Sequence, residues 1–278
     1  ACLNQHLNQD PGAEITTDQL ATLTEVMCTD REIADITGAE HLTTIRTLIL
    51  GDNQVSDLEP LGGLTTLITL DLNSNLVSDV GPLAGLINLE RLILSNNLVS
   101  DVGPLAGLTD LEVLTLRENQ VSDVGPLGGL TNLKGLGLGQ NLVSDLTPLA
   151  DLTSLTFLDL GTNQVSDVGP LASLAELEWL SLWGNQVSDL DPLRDWQKLE
   201  DMWVSDNRVS DLSGLPLNIN EPDTYGHQSP VVPVVGEVDQ PVVLPYVMPD
   251  GKAPVTVAQP GITVNPDRTI TVNQAGEY

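Results

Sequence analysis

Residues 89–110 read LERLILSNNLVSDVGPLAGLTD, residues 111–132 read LEVLTLRENQVSDVGPLGGLTN, and the two align without a gap. The same frame returns every 22 residues, with asparagine on the beat at Asn53, Asn75, Asn97, Asn119, Asn141, Asn163, Asn185 and Asn207. A fixed period of this length dictates architecture ahead of local propensity, because each copy is one structural unit stacked on the last.

Within one copy, Leu92 and Leu94 alternate with other residues, so a short strand sends both to one face. Asn97 turns the chain, and its side-chain amide is placed to bond the turning backbone of neighbouring copies. Val99 and Val102 continue inward, and Pro104 and Leu105 begin the return. Only about ten residues remain for that return, too few for a long α-helix with its loops, so a 3₁₀ turn or its equivalent is expected. A lone copy cannot close its apolar face; stacking buries the leucines in one column. The phrase L-x-x-L-x-L-x-x-N is identified as a leucine-rich repeat. It implies an α/β-type, right-handed curved solenoid with a parallel β-sheet on the concave face and 3₁₀ turns on the convex face.

Working outward from this array, residues 1–22 read as an N-terminal helical cap. Ala1 to Asn8 looks helical, Asp10-Pro11-Gly12 turns, and Thr17-Asp18-Gln19-Leu20 opens a second helical turn. Residues 23–220 form the repeat domain. Its first copy, 23–44, is degenerate: Ile33, Asp35, Ile36 and Leu42 precede Val55, Asp57, Leu58 and Leu64 by one period, and Arg31 replaces the asparagine. Eight fuller repeats follow over 45–220, the last losing its proline step at Ser213-Gly214-Leu215. Residues 221–278 read as a linker and a truncated immunoglobulin-like β domain. Valine-rich runs there are broken by Pro249-Asp250-Gly251 and Asn265-Pro266-Asp267, which is hairpin punctuation.

The formal charge of -29 excludes nucleic acid and anionic membranes as partners and favours a soluble, monomeric chain. No run approaches the roughly 20 apolar residues that span a bilayer. No secretion or wall-sorting signal lies in this stretch, which reads as part of something longer. Cys28 falls in an inward leucine slot, and Cys2 lies in the segment expected to cover that end. Two readings stand: a pair of buried free thiols, or a disulfide stapling the cap, the second favoured and pointing to an oxidising, extracellular setting. No histidine is in tandem with the cysteines, which argues against zinc.

The 22-residue period, the Val-Ser-Asp-x-x-Pro-Leu spelling, the N-terminal cap and the trailing β segment together resemble the internalin family of Gram-positive surface proteins. The resemblance implies a curved parallel-sheet solenoid that acts in extracellular adhesion or protein recognition through its concave face. It names no partner.

Candidate contact residues come from the slots that point away from the core. The third slot reads Arg91, Val113, Gly135, Phe157, Trp179 and Asp201 across six successive repeats; the fifth reads Ile93, Thr115, Gly137, Asp159, Ser181 and Trp203. The seventh, along the rim, gives Arg117, Gly139, Gly161 and Trp183. Phe157, Trp179, Trp183 and Trp203 are expected to form an aromatic wall. The stripped strand of Gly135, Gly137 and Gly139 is read as the floor of a pocket beside it. Arg91, Arg117 and Asp159 supply polar contacts. Trp196 instead occupies the inward slot of Leu174. The alternatives are a carbohydrate-binding face, a rigid spacer with no ligand, or tryptophans that only pack on one another or on the following β domain.

Catalytic chemistry finds little support. His6, His41 and His227 are scattered, so the recurring Ser-Asp pairs lack a base, and Gly135-Leu-Gly-Leu-Gly139 is strand rather than a phosphate loop. Carboxylate pairs such as Asp159 with Glu178 or Asp201 arise by chance in so acidic a chain. The aspartate column Asp57, Asp79, Asp101, Asp123, Asp145, Asp167, Asp189 and Asp211 reads as turn chemistry rather than a calcium ladder, each carboxylate accepting backbone N–H groups. No metal and no cofactor is expected.

Overall fold

The computed structural model describes residues 2–209 and three short strands at 241–243, 262–264 and 269–272. Nine three-residue strands follow one another every 22 residues: β1 (Glu25–Met27), β2 (Thr47–Ile49), β3 (Thr69–Asp71), β4 (Arg91–Ile93), β5 (Val113–Thr115), β6 (Gly135–Gly137), β7 (Phe157–Asp159), β8 (Trp179–Ser181) and β9 (Asp201–Trp203). They lie in chain order in a single parallel sheet. The register never slips: Leu70, Leu92, Leu114, Leu136, Leu158, Leu180 and Met202 stand side by side and point into the core. Behind the sheet the chain returns through 3₁₀ turns such as Gly81–Gly85, Gly103–Gly107 and Gly169–Ser173, each with proline in its first two positions. Proline there fixes φ and sacrifices no hydrogen bond, since a helix's first N–H groups have no internal acceptor.

Each turn is opened by the aspartate of its repeat. Asp79 Oδ1 accepts from Gly81 N at 2.7 Å, Asp101 from Gly103 at 2.8 Å, and the same bond recurs at Asp57, Asp123, Asp145, Asp167 and Asp189. From Asp57 to Asp189 the column is thus turn chemistry, as its spelling predicts, and Asp211 lies outside the described residues. At Asp35 and Asp145 the residue two positions on is threonine. Its side-chain hydroxyl first, and then its backbone N–H, hold these two carboxyls below the usual aspartate range.

The asparagines tie the repeats together. Asn97 Nδ2 donates to Leu94 O in its own repeat (3.1 Å) and to Leu72 O in the preceding one (2.9 Å). Its Oδ1 accepts from Val77 N, also in the preceding repeat, at 2.9 Å. The pattern repeats from Asn53 to Asn207. The residue before each asparagine takes positive φ: Asp52, Ser74, Asn96, Glu118, Gln140, Thr162 and Asp206 lie near +54° and Gly184 at +68°. Only one is glycine, so the ladder holds side chains in a left-handed conformation they seldom adopt alone.

At the N-terminal end, helices α1 (Cys2–His6) and α2 (Thr17–Leu20) precede the sheet. Thr16 caps α2, which opens at Thr17 as its sequence predicts, in a reciprocal capping box with Gln19. Cys2 and Cys28 form a disulfide with Cα atoms 5.8 Å apart, which ties α1 to the end of β1. No histidine is in tandem with the cysteines, but one turn of α1 brings His6, four residues after Cys2, within 4.8 Å of both sulfurs. With both sulfurs bonded to each other, that trio offers no thiolate to a metal. His6 instead serves the sheet edge, its Nε2 accepting the unpaired Met27 N–H at 3.0 Å.

Strands β10 (Pro241–Val243), β11 (Ile262–Val264) and β12 (Thr269–Val272) form a small antiparallel sheet in the order β10-β12-β11. The lost proline step at 213–215 and most of the immunoglobulin-like segment lie outside the described residues. Among the described residues, no helix is long and apolar enough to cross a membrane.

Replacing Asn97 by alanine strips partners from the buried Leu72 and Leu94 carbonyls and the Val77 N–H. Unsatisfied buried groups cost about 1–3 kcal/mol each, so Asn97→Ala should lower stability by about 3 kcal/mol in urea denaturation. For Asp145, hydrogen bonds to the charged form depress the folded-state pKa. Its contribution is therefore present above the unfolded value and lost as pH falls through the lowered one. Carboxyl NMR should show Asp145 titrating below the ordinary 3.8, and Thr147→Ala returning it toward that value.

Candidate functional site on the outer sheet face

Among the described residues, the outward slots of β7 to β9 and the rim just past β8 carry the exposed rings. Phe157 on β7 and Trp179 on β8 are direct neighbours across the sheet, and their rings stack with centroids 4.3 Å apart and planes 8° from parallel. Trp179 meets Trp203 of β9 at 6.3 Å with a 46° tilt. Such pairs contribute roughly 0.5–1.5 kcal/mol beyond area burial, so the cluster is partly satisfied by itself. It still leaves Phe157, Trp183 and Trp203 about 40–45% exposed. Trp183, past the end of β8, is oriented by its indole N–H, which donates to Asp206 Oδ2 at 2.9 Å. Trp196 is buried at 2% exposure in the inward slot expected for it, donating to Ala172 O.

A pocket of about 500 Å³ opens beside these rings, lined on one side by Trp179, Trp183 and Trp203 and on the other by Arg117 and Gln140. Its floor is Gly139, Gly161, Asp159 and Ser181. Of the floor expected from Gly135, Gly137 and Gly139, only Gly139 lines the pocket. Gly135 sits across from Phe157, which turns its ring toward Trp179 and lies outside the pocket, and Gly137 pairs with Asp159 one strand over. Arg91 lies on β4, three strands from β7, too far along the sheet to join the rings. Of the residues expected to make contacts, the pocket collects Arg117, Asp159, Trp179, Trp183 and Trp203.

Asp159 is seated by glycines on both sides. Its Oδ1 accepts from Gly161 N at 2.9 Å. A methyl group at Gly139 would stand 2.5 Å from Oδ2 and 2.9 Å from Cγ, so a side chain there would displace the carboxylate. Asp71 makes the same turn bond, its Oδ1 accepting from Asn73 N at 2.9 Å, but a methyl group at Gly51 would stand 3.6 Å from that oxygen, an ordinary contact, so that seat does not require glycine. In the sequence the pair is a glycine 20 residues before an aspartate, a spacing that also joins successive turns at 81/101, 103/123, 125/145 and 169/189. Comparing whole columns slot by slot hides it, because the pair spans two slots and two repeats.

On the far rim, Arg117 Nε lies 3.5 Å from Glu118 Oε1, which also accepts from Gln140 Nε2 at 3.4 Å. The guanidinium charge is countered locally. Thr162, another lining residue, is the β-branched member of the positive-φ series, at +54°. Among the described residues, the histidines His6 and His41 lie in α1 and in the 3₁₀ turn Ala39–His41 ahead of β2, away from this face.

Comparison with known proteins follows the same lines. The family described as Leucine Rich repeats (2 copies) matches residues 43–85, 87–129 and 131–173. A solved internalin C2 of Listeria monocytogenes is 37% identical, with a TM-score of 0.67 over 71% of this chain and 88% of that one. This chain belongs to the internalin family. A second internalin of Listeria monocytogenes (inlF) is 30% identical, with a TM-score of 0.66 over 77% of this chain and 70% of that one. The Listeria monocytogenes InlJ functional domain, at 20% identity and a TM-score of 0.51 over 82% of this chain and 60% of that one, shares the fold alone. No curated protein matches the chain. Leucine-rich repeat arrays of the internalin type are binding proteins, and protein–protein recognition or adhesion is the general role that this internalin's fold carries.

The left-handed conformation at Thr162 costs a β-branched residue more than it costs asparagine. Thr162→Asn should therefore raise stability by about 1 kcal/mol, read as a shift in urea midpoint at constant slope.

Proposed function

We propose that this internalin recognises an extracellular protein through the outer face of its parallel sheet, the concave side of a curved solenoid. Phe157, Trp179, Trp183 and Trp203 are the anchors, and Asp159 and Arg117 the polar contacts. The observation that carries the reading is the pocket: three tryptophans left partly open against a carboxylate that glycines hold in place. Exposed aromatic clusters in fixed geometry are the usual energetic centres of protein interfaces. The Gly135 to Gly137 strand leaves room for a partner to approach beside Phe157, while Arg91 stands on the same face three strands away on β4.

Domain organisation follows from the same reading: a cap at 1–22, the repeat domain at 23–220, and a linker with part of an immunoglobulin-like β domain at 221–278. The cap assignment is supported by α1 and α2 lying ahead of β1 and by Leu20 joining the core. The antiparallel order of β10 to β12 supports a β domain after the repeats. Cell-surface or secreted localisation is supported by the Cys2–Cys28 disulfide, which persists in oxidising surroundings, and by the surface habit of the internalin family.

The wild type and a Phe157/Trp179/Trp203 triple-alanine variant should be screened together against extracellular and matrix proteins and a glycan array. The expected result is at least one protein bound by the wild type at least tenfold more tightly than by the variant, with unchanged circular dichroism. Binding that weakens with added salt would mark a basic partner meeting an acidic face. A glycan bound by the wild type alone would move the function to carbohydrate recognition. Equal behaviour of both proteins toward every probe would reduce the rings to packing.

A further inference from the structure

Across β7, β8 and β9 one row of the sheet reads Asp159, Ser181, Trp203. Adjacent strands are about 4.8 Å apart, so Asp159 and Trp203 stand roughly 10 Å from each other with only a serine between them. That gap is the width of a flat group lying between a carboxylate and an indole. Trp179 borders it on one side and Trp183 on the other, as part of the same pocket. Asp159 Oδ1 is committed to Gly161 N, whereas Oδ2 has no hydrogen-bond partner among the described residues.

The surrounding charge has one sign. Asp201 lies beside Trp179 in the neighbouring strand, Asp206 holds the Trp183 indole, and Glu178 immediately precedes β8. The one basic residue lining the pocket, Arg117, is on the opposite rim and already faces Glu118. An anion would meet this field unfavourably, and a purely apolar group would leave Oδ2 desolvated and unpaired. A cation satisfies both: its charge meets Asp159 and its face or methylene stem lies on the indoles.

We propose, building on the recognition role above, that the pocket is the seat of a single cationic side chain of the partner protein. Guanidinium fits it best, donating to Asp159 Oδ2 while stacking between Trp203 and Trp183. The planar fork of arginine matches a carboxylate edge and an indole face together, and the ammonium of lysine reaches the same carboxylate as a point charge. Gly139 is then a specificity residue in its own right, because any side chain there pushes Asp159 from its seat.

The test uses the whole 278-residue chain, ¹⁵N-labelled, and follows its four tryptophan indole resonances. The titrants are N-acetylarginine amide, N-acetyllysine amide and the neutral isostere N-acetylcitrulline amide. The arginine amide should shift Trp179, Trp183 and Trp203 saturably, with the buried Trp196 as an unmoved internal reference. The citrulline amide should bind at least tenfold more weakly. A response to the lysine amide comparable to that of arginine would assign the site to cations in general; a weaker one would assign it to guanidinium. Asp159→Asn keeps an acceptor for Gly161 N and should abolish the preference for arginine over citrulline. Equal shifts from arginine and citrulline amides, an unchanged preference in Asp159→Asn, or no saturable shift would each overturn the proposal. The outcome is separable from that of the recognition role. A protein partner lost in the triple-alanine variant, together with no arginine response, leaves the interface standing and removes only the cationic anchor.

Discussion

One side chain per repeat holds this molecule to its shape. The asparagine amide gives its hydrogens to carbonyls in its own repeat and the one before, and its oxygen takes an N–H from that same earlier repeat. No hydrophobic contact could impose such a constraint, since leucines tolerate sliding and amide geometry does not. Because the bonds are buried, breaking one exposes no compensating water. The spacing of the strands, the level of the leucines and the phase of the turns behind them all follow from this fixed step. The aspartate at each 3₁₀ turn is its counterpart behind the sheet, but it acts within one repeat and sits in solvent. It shapes the turn without coupling the repeats.

The constraint has a local cost, visible in the residue before each asparagine. Seven of the eight are not glycine, yet all take the left-handed conformation. The ladder overrides intrinsic preference at these positions. Their side chains are thereby aimed along one rim of the sheet, so the strain creates a row of freely variable positions next to the binding face. Thr162 and Gln140, both lining the pocket, belong to that row.

The architecture could be read from the sequence because it is periodic. Leu92, Asn97, Asp101 and Pro104 each have a fixed job, and their recurrence made the sheet, the ladder and the turns deducible before any coordinates. The inward placement of Trp196 was legible for the same reason: it stands one period after Leu174. The site was harder. Slot counting put Trp179, Trp183 and Trp203 on the outer face with Asp159 and Arg117, and these do converge. It took Gly135, Gly137 and Gly139 together for the floor, of which the pocket keeps Gly139 and adds Gly161, because a column of slots says nothing about which way Phe157 turns its ring. It also missed His6 beside the disulfide, one turn from Cys2 on a short helix outside the period. Aperiodic segments leave no second copy against which to check a reading.

The seating of Asp159 on Gly139 bears on how such an array can change by duplication. Every interface between repeats uses the same leucines and the same asparagine bonds, so gain or loss of a whole 22-residue unit leaves the stack intact. The pocket obeys a different rule. Its carboxylate comes from one repeat, the glycine that admits it from the repeat before, and its rings from the two repeats after. A recombination joint within this span would preserve the solenoid and erase the site in a single event. The array is therefore robust to shuffling as a scaffold and fragile as a receptor, and selection on binding must act on the block of five neighbouring repeats from Arg117 to Trp203 as one heritable unit.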